Sequence, residues 1–218
     1  MSTNLNRVSD DVVSEVSRLE AVFGLSEHDV VDVIMQGLLA RSSCSPHHPK
    51  TFPGLSQWAE TVRALRDKTV PMGWGTRDEN NFPLSVHPSK KIVIAVQTGD
   101  RDTGVRGGNP SNRAPKGANT EDAVFSNQQQ LKLFDSIPAL PTYEAGSDDS
   151  IMWVLLYHVA SDEIRFELSL PMKMVGGKIR SWEERIVFRS VRFDDANIAI
   201  GDEDDNGADI EIDIERRE

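Results

Sequence analysis

Apolar residues recur with a helical period along the first seventy positions of the chain. Val12, Val16, Leu19 and Phe23 are spaced by four, three and four residues, behind Ser9 as a candidate N-cap and ahead of Gly24 as a stop. This spacing predicts a helix over roughly residues 10–23. Ser26 followed by Asp29 forms a capping-box pattern, and Val30, Ile34 and Leu38 line the apolar face of a second helix that reaches about Arg41. The hinge at Gly24 and Leu25 is short, so these two helices are expected to pack as an αα-hairpin. A linker rich in Ser, Pro and His follows, after which Trp58, Val62 and Leu65 mark a third helix ending near Lys68.

The period then changes. Residues 70–90 read as irregular, and Ile92 to Val96 is a continuous run of mostly β-branched residues, the pattern of a strand buried on both faces near a sheet centre. Residues 99–119 have almost no apolar content, and Thr120 opens a further helix through Val124, Leu131 and Phe134. Two strand-like segments, 151–160 and 163–170, flank Ser161 and Asp162, and in the second Ile164, Phe166, Leu168 and Leu170 alternate with polar residues. That alternation predicts a hairpin with one face buried and Glu163, Arg165 and Glu167 on a solvated face. Pro171 is expected to end it, Gly176 and Gly177 to turn the chain, and residues 184–193 to form another strand.

Helices first and strands afterwards argue for an α+β fold over alternating βαβ units. The expected organisation is a helical hairpin plus a third helix over 1–68, an α+β domain with a largely antiparallel sheet over 69–193, and an acidic β-hairpin or tail over 194–218. At 218 residues the chain suits one domain, or a body with a small appendage. The lone Cys44 cannot form an internal disulfide, and the longest apolar run, Ile151 to Tyr157, falls far short of the ~20 residues a membrane span needs. The N-terminal residues carry no apolar signal core, so a cytoplasmic location without membrane insertion is expected.

Charge divides the chain sharply. The formal net charge is −11, of which residues 194–218 supply −9 and the remaining body only −2. A net-acidic chain is a poor polyanion binder, which disfavours direct nucleic-acid binding. The second helix also opens with Glu27, Asp29 and Asp32, the wrong chemistry for a base-reading helix, so the N-terminal helices are assigned to core packing or to an oligomer contact.

Within the acidic segment Asn206 and Gly207 lie between alternating stretches carrying Ile198 and Ile200 on one side and Ile210, Ile212 and Ile214 on the other, a strong hairpin signal. A three-residue loop sets the isoleucines on one face and Glu203 opposite Asp209, a like-charge pair that favours a cation or a basic partner. Asp202, Asp204, Asp205, Asp209, Glu211 and Asp213 are therefore candidate partner-binding residues. Asp202, Asp204, Asn206 and Asp213 also match part of a calcium-loop pattern, which would take Ca²⁺ or Mg²⁺, although position twelve is Asp where a bidentate Glu is expected.

The polar loop 99–117 offers the second candidate chemistry. Its glycines and its four bases, Arg101, Arg106, Arg113 and Lys116, could cradle a phosphate, but neither a Walker-type nor a dinucleotide glycine pattern is present. Cys44, His47 and His48 lack the second ligand pair of a structural zinc site, and no nucleophile elbow or metalloprotease motif appears. The residues favour a non-enzymatic interaction or regulatory protein that docks a basic partner through its acidic hairpin and the Gly-rich loop. The competing reading is an enzyme or binding protein for a phosphate-bearing small molecule held by the loop's bases.

Overall fold

Ile92 to Thr98 is apolar toward both sides, and it runs inside the sheet with all but its last residue buried. In the computed structural model residues 7–8, 12–79, 81–87, 92–134 and 150–196 are described. In chain order the elements are β1 (Arg7–Val8), α1 (Val12–Phe23), α2 (Glu27–Ser42), α3 (Phe52–Thr69), β2 (Gly75–Glu79), β3 (Phe82–His87), β4 (Ile92–Thr98), α4 (Ala118–Phe134), β5 (Ile151–Val159), β6 (Glu163–Val175), β7 (Lys178–Val187), β8 (Val191–Arg192) and α5 (Phe193–Ala196). The strands order as β1-β7-β6-β5-β4-β3-β2, with β8 pairing β6. Neighbours are antiparallel except β4 with β5 and β1 with β7. The fold is α+β, with helices leading and a mostly antiparallel sheet following.

The sheet is covered on both faces. On one, Ile94, Trp153, Phe166 and Leu168 pack against Leu19, Phe23, Ile34, Leu38 and Leu65 of the three N-terminal helices. On the other, Val93, Met152, Val154 and Trp182 pack against Val124 of α4. The parallel pair β4–β5 needs a crossover, and α4 within it lies on the second face.

The antiparallel partnership in the helical layer is between α2 and α3, where the hinge at Gly24 had pointed to α1 and α2. The reason is a close approach: a Cβ on Gly37 would sit 2.0 Å from Thr61 Oγ1 and 2.8 Å from the Gln57 carbonyl. α1 instead reaches β7, where Arg18 pairs with Glu184. Trp58 ties α3 to the sheet by donating its indole N–H to Val96 O at 3.1 Å.

Three segments differ from the expectation. Residues 75–87, read as irregular, form the β2–β3 hairpin at the sheet edge, where polar side chains conceal the strand period; its turn uses Asn81 at φ 58°, a conformation Asn tolerates. Pro171 does not end β6. The strand continues to Val175 through register shifts around Pro171 and Lys173, and the carboxamide of Asn127 mends the ladder there. It accepts from Met152 N at 2.8 Å and donates to Met152 O and Pro171 O at 2.8 and 3.0 Å. β7 begins at Lys178 and ends at Val187, so residues 184–193 span its end, the two-residue β8 and the start of α5.

α2 begins with the reciprocal capping box of Ser26 and Asp29, and Lys68 of α3 bonds Asp29 at 2.9 Å and Asp32 at 3.1 Å. Hydrogen bonds from Ser26, then from Lys68, hold the Asp29 carboxyl down at about 2 against an ordinary 3.8. A carboxyl lowered on folding adds stability above its unfolded value and loses it as pH falls toward the folded one. Asp29→Asn is therefore expected to remove about 1–2 kcal/mol at neutral pH and to flatten the loss of stability between about pH 4 and pH 2, measured by urea unfolding across that range. Gly37→Ala is expected to cost about 1–3 kcal/mol, read as a lower urea midpoint at unchanged slope, because the new methyl meets α3 backbone.

Candidate functional site

Glu167 and Arg185 decide how the polar loop is built. They lie on the sheet face that alternation marked as solvated, yet Glu167 is 0% and Arg185 1% exposed. Register explains the pairing: Ser169 lies opposite Arg185, and Glu167 is one same-face step along β6. A buried charge needs a partner and filled hydrogen bonds, and both are present. Arg185 Nε donates to Glu167 Oε1 at 3.0 Å while Nη2 donates to Oε2, a two-pronged pair; Ser169 Oγ adds a bond to Oε1 at 2.7 Å.

What covers the pair is the loop itself. Gly104 N donates to Glu167 Oε2 at 2.8 Å, and Arg185 reaches up to Gly108 O at 2.7 Å and Val105 O at 3.1 Å. Gly104 takes φ 72°, and a Cβ there would lie 2.8 Å from the Arg165 side chain, so only glycine fits both the turn and the contact. Further along, Asn112 accepts from Ile179 N at 2.8 Å and donates to Gly177 O at 2.7 Å, Lys178 Nζ donates to Asn112 O at 2.7 Å, and Trp182 Nε1 donates to Pro110 O at 2.8 Å. Asp100 folds the loop on itself, accepting from Asp102 N and Ser111 N, both at 3.1 Å. Residues 99–117 are thus a stitched shelf over β6 and β7.

The four bases of the loop are mounted at separate places. Arg101 and Arg106 are exposed, and Arg106 Nη2 lies 3.5 Å from Val187 O at the end of β7. Arg113 N donates to Thr98 O at 2.8 Å, and Lys116 N to Gly177 O at 2.8 Å, at the opposite end of β7. Ten residues of strand separate Gly177 from Val187, about 30 Å at ~3.3 Å per residue, so Arg106 and Lys116 share no phosphate-sized centre. Val105, 37% exposed, and Asn109 lie outward on the same shelf.

The acidic candidates Asp202, Asp204, Asp205, Asn206, Asp209, Glu211 and Asp213 lie outside the described residues. Among the described residues no group of three or more His, Cys, Asp or Glu is placed to hold a metal ion. In the Cys44 linker His48 stacks on Phe52, ring centroids 4.7 Å apart, and its Nδ1 lies 3.0 Å from Ser45 N. His158, in β5, has Nδ1 3.4 Å from Gly99 O at the base of the shelf. Among the described residues no helix is long and apolar enough to cross a membrane. Neither the family models, nor the curated proteins, nor the solved structures contain a match to this chain.

Alternation along one strand assigns a residue to a face without showing what covers that face, so it does not single out the pair. Its signal is present: Glu167 sits between Phe166 and Leu168, and Arg185 just ahead of Ile186, Val187 and Phe188, two charges in apolar runs of one hairpin. Glu167→Ala is expected to cost about 3–5 kcal/mol, since it leaves the Arg185 guanidinium buried without its counter-charge. Replacing both together by apolar residues of similar volume should recover part of that loss, and amide exchange at Gly104 reports loss of the shelf in either variant.

Proposed function

We propose that this protein is a non-enzymatic, cytoplasmic interaction or regulatory protein that docks a basic protein partner through its acidic C-terminal segment and the 99–117 shelf. The observation that carries this reading is the direction of the shelf's polar groups. Asp100, Asn112 and the backbone of residues 104–108 are spent inward, while Arg101, Val105, Arg106 and Asn109 stand outward on a support that does not have to be ordered on binding. Preorganised loops lose less entropy on docking, which favours recognition over a merely connecting role. An apolar Val105 between bases resembles the mix of anchor and rim that interfaces use.

The acidic segment supplies the complementary element, with −9 of charge in 25 residues. Such a segment steers a basic partner and adds affinity that salt removes. Direct nucleic-acid binding fits poorly with this charge, and an oligomer contact through α2 and α3 remains compatible with the docking role.

Two variants of the full chain test the reading against a captured native partner. Asp202, Asp204 and Asp205 changed together to Asn are expected to weaken binding about tenfold at low salt and to flatten its salt dependence. Val105→Ser is expected to weaken it with little change in stability. Binding that neither variant alters would refute the assignment.

A further inference from the structure

Two polar side chains are shut beneath the start of the shelf with no protein group to bond them. Gln97 is 3% and Thr103 0% exposed, and neither Gln97 Oε1 nor Thr103 Oγ1 has a hydrogen-bond partner in the chain. A buried polar atom left bare keeps its full desolvation penalty, so such atoms are filled by protein groups or by ordered water.

The two atoms meet at one place. Val93 and Ala95 of β4 pack into the cluster on the second sheet face, so Gln97, in step with them, faces the same way. It stands in one row with Leu156 of β5 and Glu167 of β6. Gly99 is the next position on that face, ~6.6 Å further along at ~3.3 Å per residue. Its missing side chain lets Thr103 in: a Cβ on Gly99 would lie 2.0 Å from Thr103 Oγ1 and 3.1 Å from Thr103 Cβ. Thr103 N donates to Asp100 O at 3.0 Å, which folds the residue back over Gly99, and Gly104 N then lands on Glu167. The carboxamide and the hydroxyl are therefore one same-face step apart, between the sheet and the shelf.

The chemistry of the pair selects what joins them. Gln97 Oε1 only accepts, which rules out an anion, while Thr103 Oγ1 both donates and accepts. A cation finds too few ligands, since hard cations collect about six or more oxygens. Nor is there charge to draw one: Glu167 is met by Arg185, and its oxygens already accept from Ser169 Oγ, Arg185 and Gly104 N. A neutral molecule with both donor and acceptor remains. One oxygen at an ordinary ~2.8 Å from each of two partners joins groups about 5–6 Å apart, and two polar partners suffice to hold a buried water.

We propose that an internal water bridges the Thr103 hydroxyl and the Gln97 carboxamide beneath the 99–104 turn, accepting from Thr103 Oγ1 and donating to Gln97 Oε1. The site belongs to the fold and is independent of what the shelf docks. It completes the inward side of the shelf: Glu167 and Arg185 hold residues 104–108, and the water holds Thr103 to the sheet.

Water–protein NOE and ROE spectra of the isotope-labelled full chain test it. The Thr103 methyl group is expected to show a water cross-peak with the opposite NOE and ROE signs of a water that tumbles with the protein. A hydroxyl that exchanges with bulk water gives a similar signal, and Gln97→Met separates the two, because it keeps the hydroxyl and removes the acceptor at nearly constant volume. In that variant the cross-peak is expected to fall several-fold, with the Gly104 amide resonance reporting that the shelf is intact. A cross-peak of native intensity in Gln97→Met would assign the signal to the hydroxyl and overturn the inference. A native chain with no cross-peak and a slowly exchanging Thr103 hydroxyl proton would also overturn it, since Thr103 would then bond Gln97 directly.

Discussion

A guanidinium and a carboxylate without access to water impose the strongest constraint in this molecule. Arg185 and Glu167 each need the other, because either charge left alone in the sheet would carry a desolvation cost of several kcal/mol. They also need the loop, since Gly104 N, Val105 O and Gly108 O fill hydrogen-bond sites that the pair leaves open. The hairpin β6–β7 and the crossover between β4 and β5 therefore stabilise one another. The hairpin half of this arrangement is local, eighteen residues apart, while the crossover closes over nearly eighty. Contacts of that separation are the entropically expensive ones, and a charge pair already formed in the hairpin gives the crossover a fixed place to land.

The second crossover device has the same logic with neutral groups. Asn127 meets β5 and β6 where Pro171 has no N–H to offer, and Asn112 meets the Gly176–Gly177 turn where the ladder runs out. Both side chains carry donors and an acceptor and so close three backbone groups at once. The polar content of residues 99–127 is in this sense structural: it replaces a strand's worth of backbone partners along a sheet that is irregular at Pro171 and Lys173.

Legibility from sequence followed the local period. α2 and β4, with their capping box and their unbroken apolar run, were readable because the residues that define them are contiguous. β2 and β3 were not, since Thr76, Arg77 and Asp78 at a sheet edge present no apolar alternation. Glu167 was misplaced for a different reason: strand alternation assigns a residue to a face but does not tell what covers that face, and here the cover comes from a loop more than fifty residues earlier. The α2–α3 pairing likewise depended on Gly37 meeting Thr61, a contact between residues whose sequence distance hides it.

The charges of the chain fall into two kinds with different physical consequences. Those inside, at Glu167 and Arg185, are fully hydrogen-bonded, insensitive to salt, and set geometry. Those outside, at Arg101 and Arg189, are exposed, screened within about 10 Å at 0.1 M salt, and individually weak. The first kind gives the second its use: exposed arginines on a pliable loop would lose in ordering what they gain in attraction, whereas a shelf pinned from below presents them at no such cost. Rigidity beneath and weakness above is the combination that lets a contact be specific in place and still reversible.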